Sequence, residues 1–328
     1  MTTSGCYLTH LASGQLELLR GRQSIEQLLA DPSTAPELRE SLDLVQRTRA
    51  YGDTLGLAVN GQYSSYVAWP GDRVITSVVA ARPGSVETEP FWFPIVGSVP
   101  YKGYFDPERA AREAERLAGA GYDVCLVPVR AYSTLGWFDD PVTSPMLAMG
   151  RGRLAEVLLH ELVHATVFVP SQPEFNEGIA TFIGEEASVR FFADAGEAES
   201  AAQRRQEVDE ARRIDQALLA FRDAVAKLYA ETPPGPERQV AREALEAQTR
   251  RDLARLPLRT RDPVVLAEGA RLNDACLALV ATYTADVPRY AARFEAEDRD
   301  LVRFLVELQR AAGSPDPRRE FLEPIVTP

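Results

Sequence analysis

The chain has 328 residues, of which 45% are hydrophobic and 26% charged, and its formal net charge is −12. These proportions are ordinary for a globular protein with a sizeable core, arranged as one large domain or two smaller ones. The acidic balance argues against a nucleic-acid partner, and since no run of about 18 apolar residues occurs, we expect no membrane-spanning helix.

The N-terminal part of the chain has the periodicity of helices. Apolar residues recur three and four positions apart over residues 9–30 and again over 35–51, and the stretch DPST separates the two segments. We therefore predict an N-terminal helical segment over residues 1–52.

The next region changes to β-branched and aromatic residues. YSSYVAW (63–69) and RVITSVVAA (73–81) predict a hairpin with its turn near Pro70 and Gly71, and FWFPIVGSVPYKGYF (91–105) predicts a further strand or strand pair. A helix follows over residues 106–121, with Asp106 as its cap, and then a strand from residue 122. This order predicts a small mixed sheet with a helix on one face.

The remainder of the chain predicts helices. Segments 153–169 and 174–194 form one pair, and segments 196–231 and 236–255 form an antiparallel pair broken by TPPGPE. Two or three shorter helices follow. We place a helical C-terminal region over residues 196–328, with its charged runs on solvated faces.

The three cysteines form neither a disulfide framework nor a CxxC metal set. Cys125 and Cys276 stand in apolar stretches, and we expect both to be buried free thiols. TSGC (3–6) resembles the end of a bacterial lipoprotein signal, in which the cysteine, here Cys6, is lipidated. Only five residues precede Cys6, so either the signal is truncated or the match is chance.

The stretch HELVH (160–164) holds two of the three histidines. On a helix, His160 and His164 project from the same face and can hold one zinc ion, and Glu161 stands where a carboxylate reaches a metal-bound water. The alternative is a helix with two core histidines. Catalytic zinc also needs a third protein ligand and an open position. Glu177, in NEGIA (176–180), becomes that ligand if the proline-flanked turn brings the second helix back against the first.

HELVH followed by NEGIA resembles the gluzincin metallopeptidases, thermolysin and the zinc aminopeptidases among them, although the spacing here is shorter than in either. A closer resemblance is to a family of bacterial aminopeptidases that are usually lipoproteins. The stretches that carry it are GQLELL (14–19), FWFPIVGSVPYKGYF (91–105), AYSTLGWFDDPV (131–142), HELVHATVF (160–168), FNEGIATFIGEEA (175–187) and RLNDACL (271–277).

The resemblance implies an α+β, helix-rich, zincin-like metallopeptidase, with a small mixed sheet and an active-site helix pair in a catalytic region over residues 53–195. The helical C-terminal region would pack against it. Zn2+ would be held by His160, His164 and Glu177, and Glu161 would act as the general base. The implied activity is that of an aminopeptidase. The alternatives are a zinc endopeptidase and a non-catalytic envelope protein with a structural zinc site.

Residues outside the HELVH and NEGIA stretches are candidates for substrate binding and for stabilising the oxyanion. STLGWF lies 22 to 27 residues before His160, where gluzincins have an edge strand that pairs with the substrate, so Gly136 and Trp137 are expected to bind substrate; the alternative is an ordinary strand or loop. Tyr283 or Tyr132 would stabilise the oxyanion, unless each is a packed aromatic residue.

Several polar residues near the HELVH and NEGIA stretches have more than one possible role. Asn176 either orients Glu177 or caps its helix. Glu185 and Glu186 either bond a zinc-bound histidine or lie exposed on the surface. The substrate's α-amine needs a carboxylate, for which the choices are Asp139, Asp140 and Glu174.

The expected partner is a peptide substrate, with a lipid anchor through Cys6. The resemblance places the protein in the bacterial cell envelope or periplasm; the alternative is the cytoplasm. The sequence does not determine the oligomeric state.

Overall fold

The computed structural model describes residues 3–93, 97–134 and 138–323. Its helices are α1 (Thr3–Arg20), α2 (Ile25–Ala30), α3 (Pro36–Thr54), α4 (Pro107–Gly119), α5 (Ser144–Leu147), α6 (Arg151–Thr166), α7 (Pro173–Asp194), α8 (Ala198–Glu231), α9 (Pro236–Leu253), α10 (Pro263–Gly269), α11 (Asp274–Thr284), α12 (Val287–Ala296), α13 (Leu301–Ala312) and α14 (Pro317–Leu322). Its strands are β1 (Gln23–Ser24), β2 (Ser65–Val67), β3 (Ile75–Ala81), β4 (Phe91–Phe93), β5 (Gly97–Val99), β6 (Lys102–Tyr104), β7 (Asp123–Val129) and β8 (Val142–Thr143). None of the helices in these ranges combines the length and apolarity needed to cross a bilayer.

The prediction of a helix-rich α+β fold with small sheets is confirmed. In the first sheet β2 pairs antiparallel with β1 and parallel with β8. In the second, β3 lies between β6 and β7 and is antiparallel to both. Strands β4 and β5 form a separate antiparallel pair.

Strand β3 is buried along its whole length because helices cover both faces of its sheet. Val78 and Ala80 pack with α4 on one face, whereas Val79 and Ala81 pack with α11 on the other. A strand covered on both faces has apolar residues at consecutive positions instead of an alternating pattern. The predicted arrangement, with a helix on one face only, is therefore incomplete.

The predicted hairpin between residues 63 and 81 is wrong. Strands β2 and β3 belong to different sheets. The two apolar runs correctly predict that each segment contains a strand, but which strands pair with each other depends on the tertiary packing.

Two helix predictions also need correction. The segment 9–30 is not one helix: α1 ends at Arg20, and Ser24 accepts a hydrogen bond from the Gln27 backbone N–H at the beginning of α2. After α9 the described residues contain five helices, α10 to α14, where two or three were expected. The predictions for α4, α6, α7, α8 and α9 are confirmed, each within a few residues.

The largest hydrophobic cluster lies around α6 and α7. It joins Leu42 of α3, Leu159 of α6, Ile183 of α7 and Phe304 of α13, all buried. Elements from all three predicted segments therefore share one core, in which α6 and α7 are central.

Helices α6 and α7 approach closely at Gly184. A Cβ atom at this position would lie 2.9 Å from the Glu156 carbonyl oxygen and 3.1 Å from the Cβ of His160. Because backbone atoms cannot yield like a flexible side chain, glycine is required for the observed separation of the two helices.

The expectation of two free thiols is wrong, because Cys125 of β7 and Cys276 of α11 form a disulfide. Both residues are buried, as expected. They are 151 positions apart in sequence, and only the packing of α11 against the β3 sheet brings them together. The disulfide therefore ties α11 to the sheet.

We expect Cys276→Ala to lower the free energy of unfolding by about 2–5 kcal/mol. The chain-entropy model gives about 5 kcal/mol for a loop of this length, and measured losses are often smaller. Urea unfolding of the variant, with and without reductant, checks this. Reductant should destabilise the wild type by a similar amount and leave the variant unchanged; a wild type insensitive to reductant contradicts the prediction.

Candidate metal centre

Helix α6 places two imidazole rings side by side. His160 and His164 are one turn apart, and their Nε2 atoms are 3.1 Å from each other. His164 is buried, and the side chain of His160 is 16% exposed. One ring is thus enclosed by the core while the other borders a cavity.

Helix α7 brings Glu177 to the same point. The Oε2 atom of Glu177 lies 3.5 Å from Nε2 of His160 and 3.3 Å from Nε2 of His164. Among the described residues, these three form the only group of histidine, cysteine and carboxylate side chains with metal-binding proximity.

Asn176 holds the connection between the two helices. Its Oδ1 accepts from the Val169 backbone N–H at 2.9 Å, and its Nδ2 donates to the Val169 carbonyl at 2.7 Å. The side chain therefore neither caps α7 nor touches Glu177. Instead it fixes the incoming loop, and thereby the position at which α7 begins.

The donor atoms fit a tetrahedral zinc ion. Ligand atoms about 2.0–2.1 Å from such an ion are about 3.3 Å apart, since they occupy corners of one tetrahedron. The observed separations of 3.1, 3.3 and 3.5 Å scatter around this value. Two imidazole nitrogens and a carboxylate oxygen are also a donor set that zinc prefers.

The electrostatics of the three side chains are coupled. Burial by itself would raise the pKa of Glu177, but the charges and hydrogen bonds of His164 and His160 outweigh it and hold the pKa well below its ordinary range. Burial would lower the pKa of His164, yet the charge of Glu177 raises it. The site thus keeps an anionic carboxylate between two imidazoles, which favours a bound cation.

Two tyrosines extend the site on the side of Glu177. The hydroxyl of Tyr101 donates to Oε1 of Glu177 at 3.3 Å and also interacts with the hydroxyl of Tyr283. The ring of Tyr283 lies parallel to that of His160, with centroids 6.4 Å apart. Burial, together with the charge of Glu177, raises the pKa of Tyr283 well above its ordinary value, so the phenol stays protonated at neutral pH.

Sequence reasoning missed Tyr101. It lies between β5 and β6, and 76 positions separate it from Glu177. The only local signal was its place in the stretch 91–105, which carried the family resemblance without a role for the residue.

Glu161 borders a cavity of about 1070 Å³. His160 and Tyr283 line the same cavity. The carboxylate makes no hydrogen bond among the described residues, and its charge acts on Tyr63, Tyr101 and Tyr283. The arrangement therefore presents a free carboxylate, a protonated phenol and an imidazole to one space.

Of the other proposed site residues, Tyr132 and Asp140 have contacts outside the candidate metal centre. Gly136 and Trp137 are outside the described residues. Tyr132 packs against Phe105, with ring centroids 5.0 Å apart, and is absent from the cavity wall. Asp140 is fully buried and accepts from the backbone N–H and hydroxyl of Thr134, which leaves it unavailable for a substrate amine.

Glu185 and Glu186 correspond to neither of their two expected roles. Both are buried, and arginines from α8 pair with them: Arg212 contacts both, at 2.8 Å each, and Arg205 contacts Glu186 at 3.0 Å. They therefore hold α8 against α7 and do not bond the histidines.

His10, the third histidine, is also remote from the metal centre. Its Nε2 accepts a hydrogen bond from the Phe105 backbone N–H at 3.1 Å. This contact joins α1 to the loop before α4.

Comparison with known proteins gives one match. No curated protein and no solved structure matches the chain. A family model with the description "Putative aminopeptidase" matches residues 6–322. This range covers nearly the whole chain, including every element of the candidate metal centre, and the chain therefore belongs to this aminopeptidase family.

Proposed function

We propose that the protein is a zinc-dependent aminopeptidase with a zincin-like active-site helix pair, in which His160, His164 and Glu177 hold the metal. The observation that carries the proposal is the triangle of donor atoms, whose edges of 3.1–3.5 Å correspond to ligands of one tetrahedral ion. The family assignment supports peptidase activity independently of this geometry.

The chemistry divides between the metal and the side chains around it. Zinc in this site would supply Lewis-acid chemistry, polarising the scissile carbonyl and lowering the pKa of a water. Glu161 would take the proton of the attacking water and pass it to the leaving amine. The Tyr283 phenol would donate a hydrogen bond to the oxygen that becomes negatively charged in the transition state.

The cavity favours an enzyme over a structural zinc site. Structural sites are usually closed by a fourth cysteine or histidine. In the described part of the chain no fourth such residue joins the three donors, and the neighbouring space is lined by Glu161 and Tyr283. An open coordination position facing a cavity is what a hydrolytic site requires.

The disulfide supports a location outside the reducing cytoplasm. Bonds such as Cys125–Cys276 persist in the periplasm and at the cell surface but are rare in cytosolic proteins. We therefore propose that the protein functions in the bacterial cell envelope or periplasm. The lipid anchor through Cys6 remains part of this proposal, to be tested by mass spectrometry of the protein isolated from membranes.

The proposal is tested by two measurements on the purified protein. Metal analysis by mass spectrometry should give about one zinc per chain, and peptides with a free N-terminus should be cleaved while their acetylated counterparts are not. Cleavage of both peptide types would identify an endopeptidase. One bound zinc without hydrolysis of either would favour the structural alternative, and no zinc would overturn the proposal.

We expect Tyr283→Phe to lower kcat by about 10²-fold, the effect of removing one oxyanion donor, with little change in KM and in zinc content. Steady-state kinetics on a free-amine peptide measures this. Tyr132→Phe, which alters a tyrosine outside the cavity, is the control and should retain full activity. If the two variants behave alike, Tyr283 has no part in the reaction.

A further inference from the structure

The cavity beside the metal centre continues along α6. Its wall includes Glu161 and His160 at one end, then Glu156 and Arg153 on the preceding turns of the same helix. Asp215 of α8 lies in the wall as well. A peptide that reaches the metal can therefore extend along α6 toward the beginning of that helix.

The carboxylates of this wall differ in their partners. Glu156 accepts from Arg153 and Arg204. Glu185 and Glu207 each pair with an arginine, at 2.8 Å in both cases. Asp215, in contrast, makes no hydrogen bond or ion pair among the described residues. The other carboxylate of the wall without such a partner is Glu161, the proposed general base.

Asp215 lies in range of charges without being paired to them. The charges of Arg153 and Arg261 reach it, as does that of Glu156. Burial raises its pKa to about 6, so the group is mostly ionised at neutral pH. A partly buried, ionised carboxylate without a direct partner has unused capacity to bind a cation.

We propose that Asp215 binds the α-ammonium group of the peptide substrate and so restricts the enzyme to chains with a free N-terminus. This inference rests on the proposed peptidase function and assigns the substrate-binding carboxylate that an aminopeptidase needs. It replaces Asp139, Asp140 and Glu174 in that role.

The test compares Asp215→Asn with Asp209→Asn, a matched change on α8 at a residue outside the cavity wall. Substrates are a hexapeptide with a free N-terminus and its acetylated form. In Asp215→Asn we expect kcat/KM for the free peptide to fall about 10- to 100-fold, as for loss of a charge-assisted hydrogen bond, while neither enzyme cleaves the acetylated peptide. Asp209→Asn should match the wild type.

Two results would overturn the assignment: an unchanged kcat/KM for the free peptide in Asp215→Asn, or an equal loss in Asp209→Asn. Calorimetric binding of the same peptides to Glu161→Gln separates this inference from the proposed function. One combination of results would support the amine site while contradicting the peptidase function. In it, the wild type hydrolyses neither peptide, Glu161→Gln binds the free-amine peptide more tightly than the acetylated one, and adding Asp215→Asn abolishes that difference in affinity. Absence of any preference for the free amine in Glu161→Gln overturns the amine site.

Discussion

Replacing Glu161 by glutamine should lower kcat between about 10²- and 10⁴-fold, the usual contribution of general acid–base catalysis, while zinc remains bound. The amide has nearly the shape of the carboxylate but cannot accept a proton from water. Since Glu161 is not one of the three grouped donors and makes no hydrogen bond among the described residues, the substitution should leave the fold and the donor triangle in place.

Kinetics on a free-amine peptide and metal analysis of the same sample check this result. Glu174→Gln is the control, because Glu174 is an exposed carboxylate at the beginning of α7. Its activity should equal that of the wild type. Retained activity in Glu161→Gln would remove the role of general base from this residue, and loss of zinc in the variant would show that the carboxylate supports the metal instead.

Replacing Glu177 by alanine should remove the metal and with it the activity. The carboxylate supplies one of three donors and the negative charge between two imidazoles. Loss of an outer-shell partner already costs about 10- to 100-fold in metal affinity, and loss of a direct ligand should cost more. We expect the zinc content after dialysis to fall from about one per chain to less than about 0.1.

Mass spectrometry of the dialysed variants measures the zinc content, with Glu174→Ala as a control on the same helix. Circular dichroism should show that both variants keep their helices, because the core around α6 and α7 consists of apolar side chains. A zinc content near one in Glu177→Ala would mean that another residue is the third ligand.

Sequence patterns predict those site residues whose relative positions are determined by residues close to them in sequence. His160 and His164 are one helical turn apart, and Glu177 lies near the beginning of the next helix after a proline-flanked turn. Periodicity and caps likewise predict α4, where Asp106 accepts hydrogen bonds from two backbone N–H groups. In each case the interacting residues lie within a few turns of one another.

The features that escaped prediction depend on contacts between distant segments. Tyr101 reaches Glu177 across 76 positions and Cys125 reaches Cys276 across 151. No spacing rule relates such residues, since their proximity follows from how the sheet, α7 and α11 pack. Strand β3 was recognised as a strand, but its partners were not, because an apolar run is compatible with many neighbours.

Gly184 shows that the geometry of the candidate metal centre depends on a residue that supplies no donor atom. The first carbon of any side chain there would meet the Glu156 carbonyl and the Cβ of His160, forcing α7 away from α6. The edges of the donor triangle that include Glu177 run between these two helices, so a shift of a few tenths of an ångström would change the distances between the three side chains. In the zinc site that we propose, a substitution at position 184 would therefore have the same effect as removal of the metal.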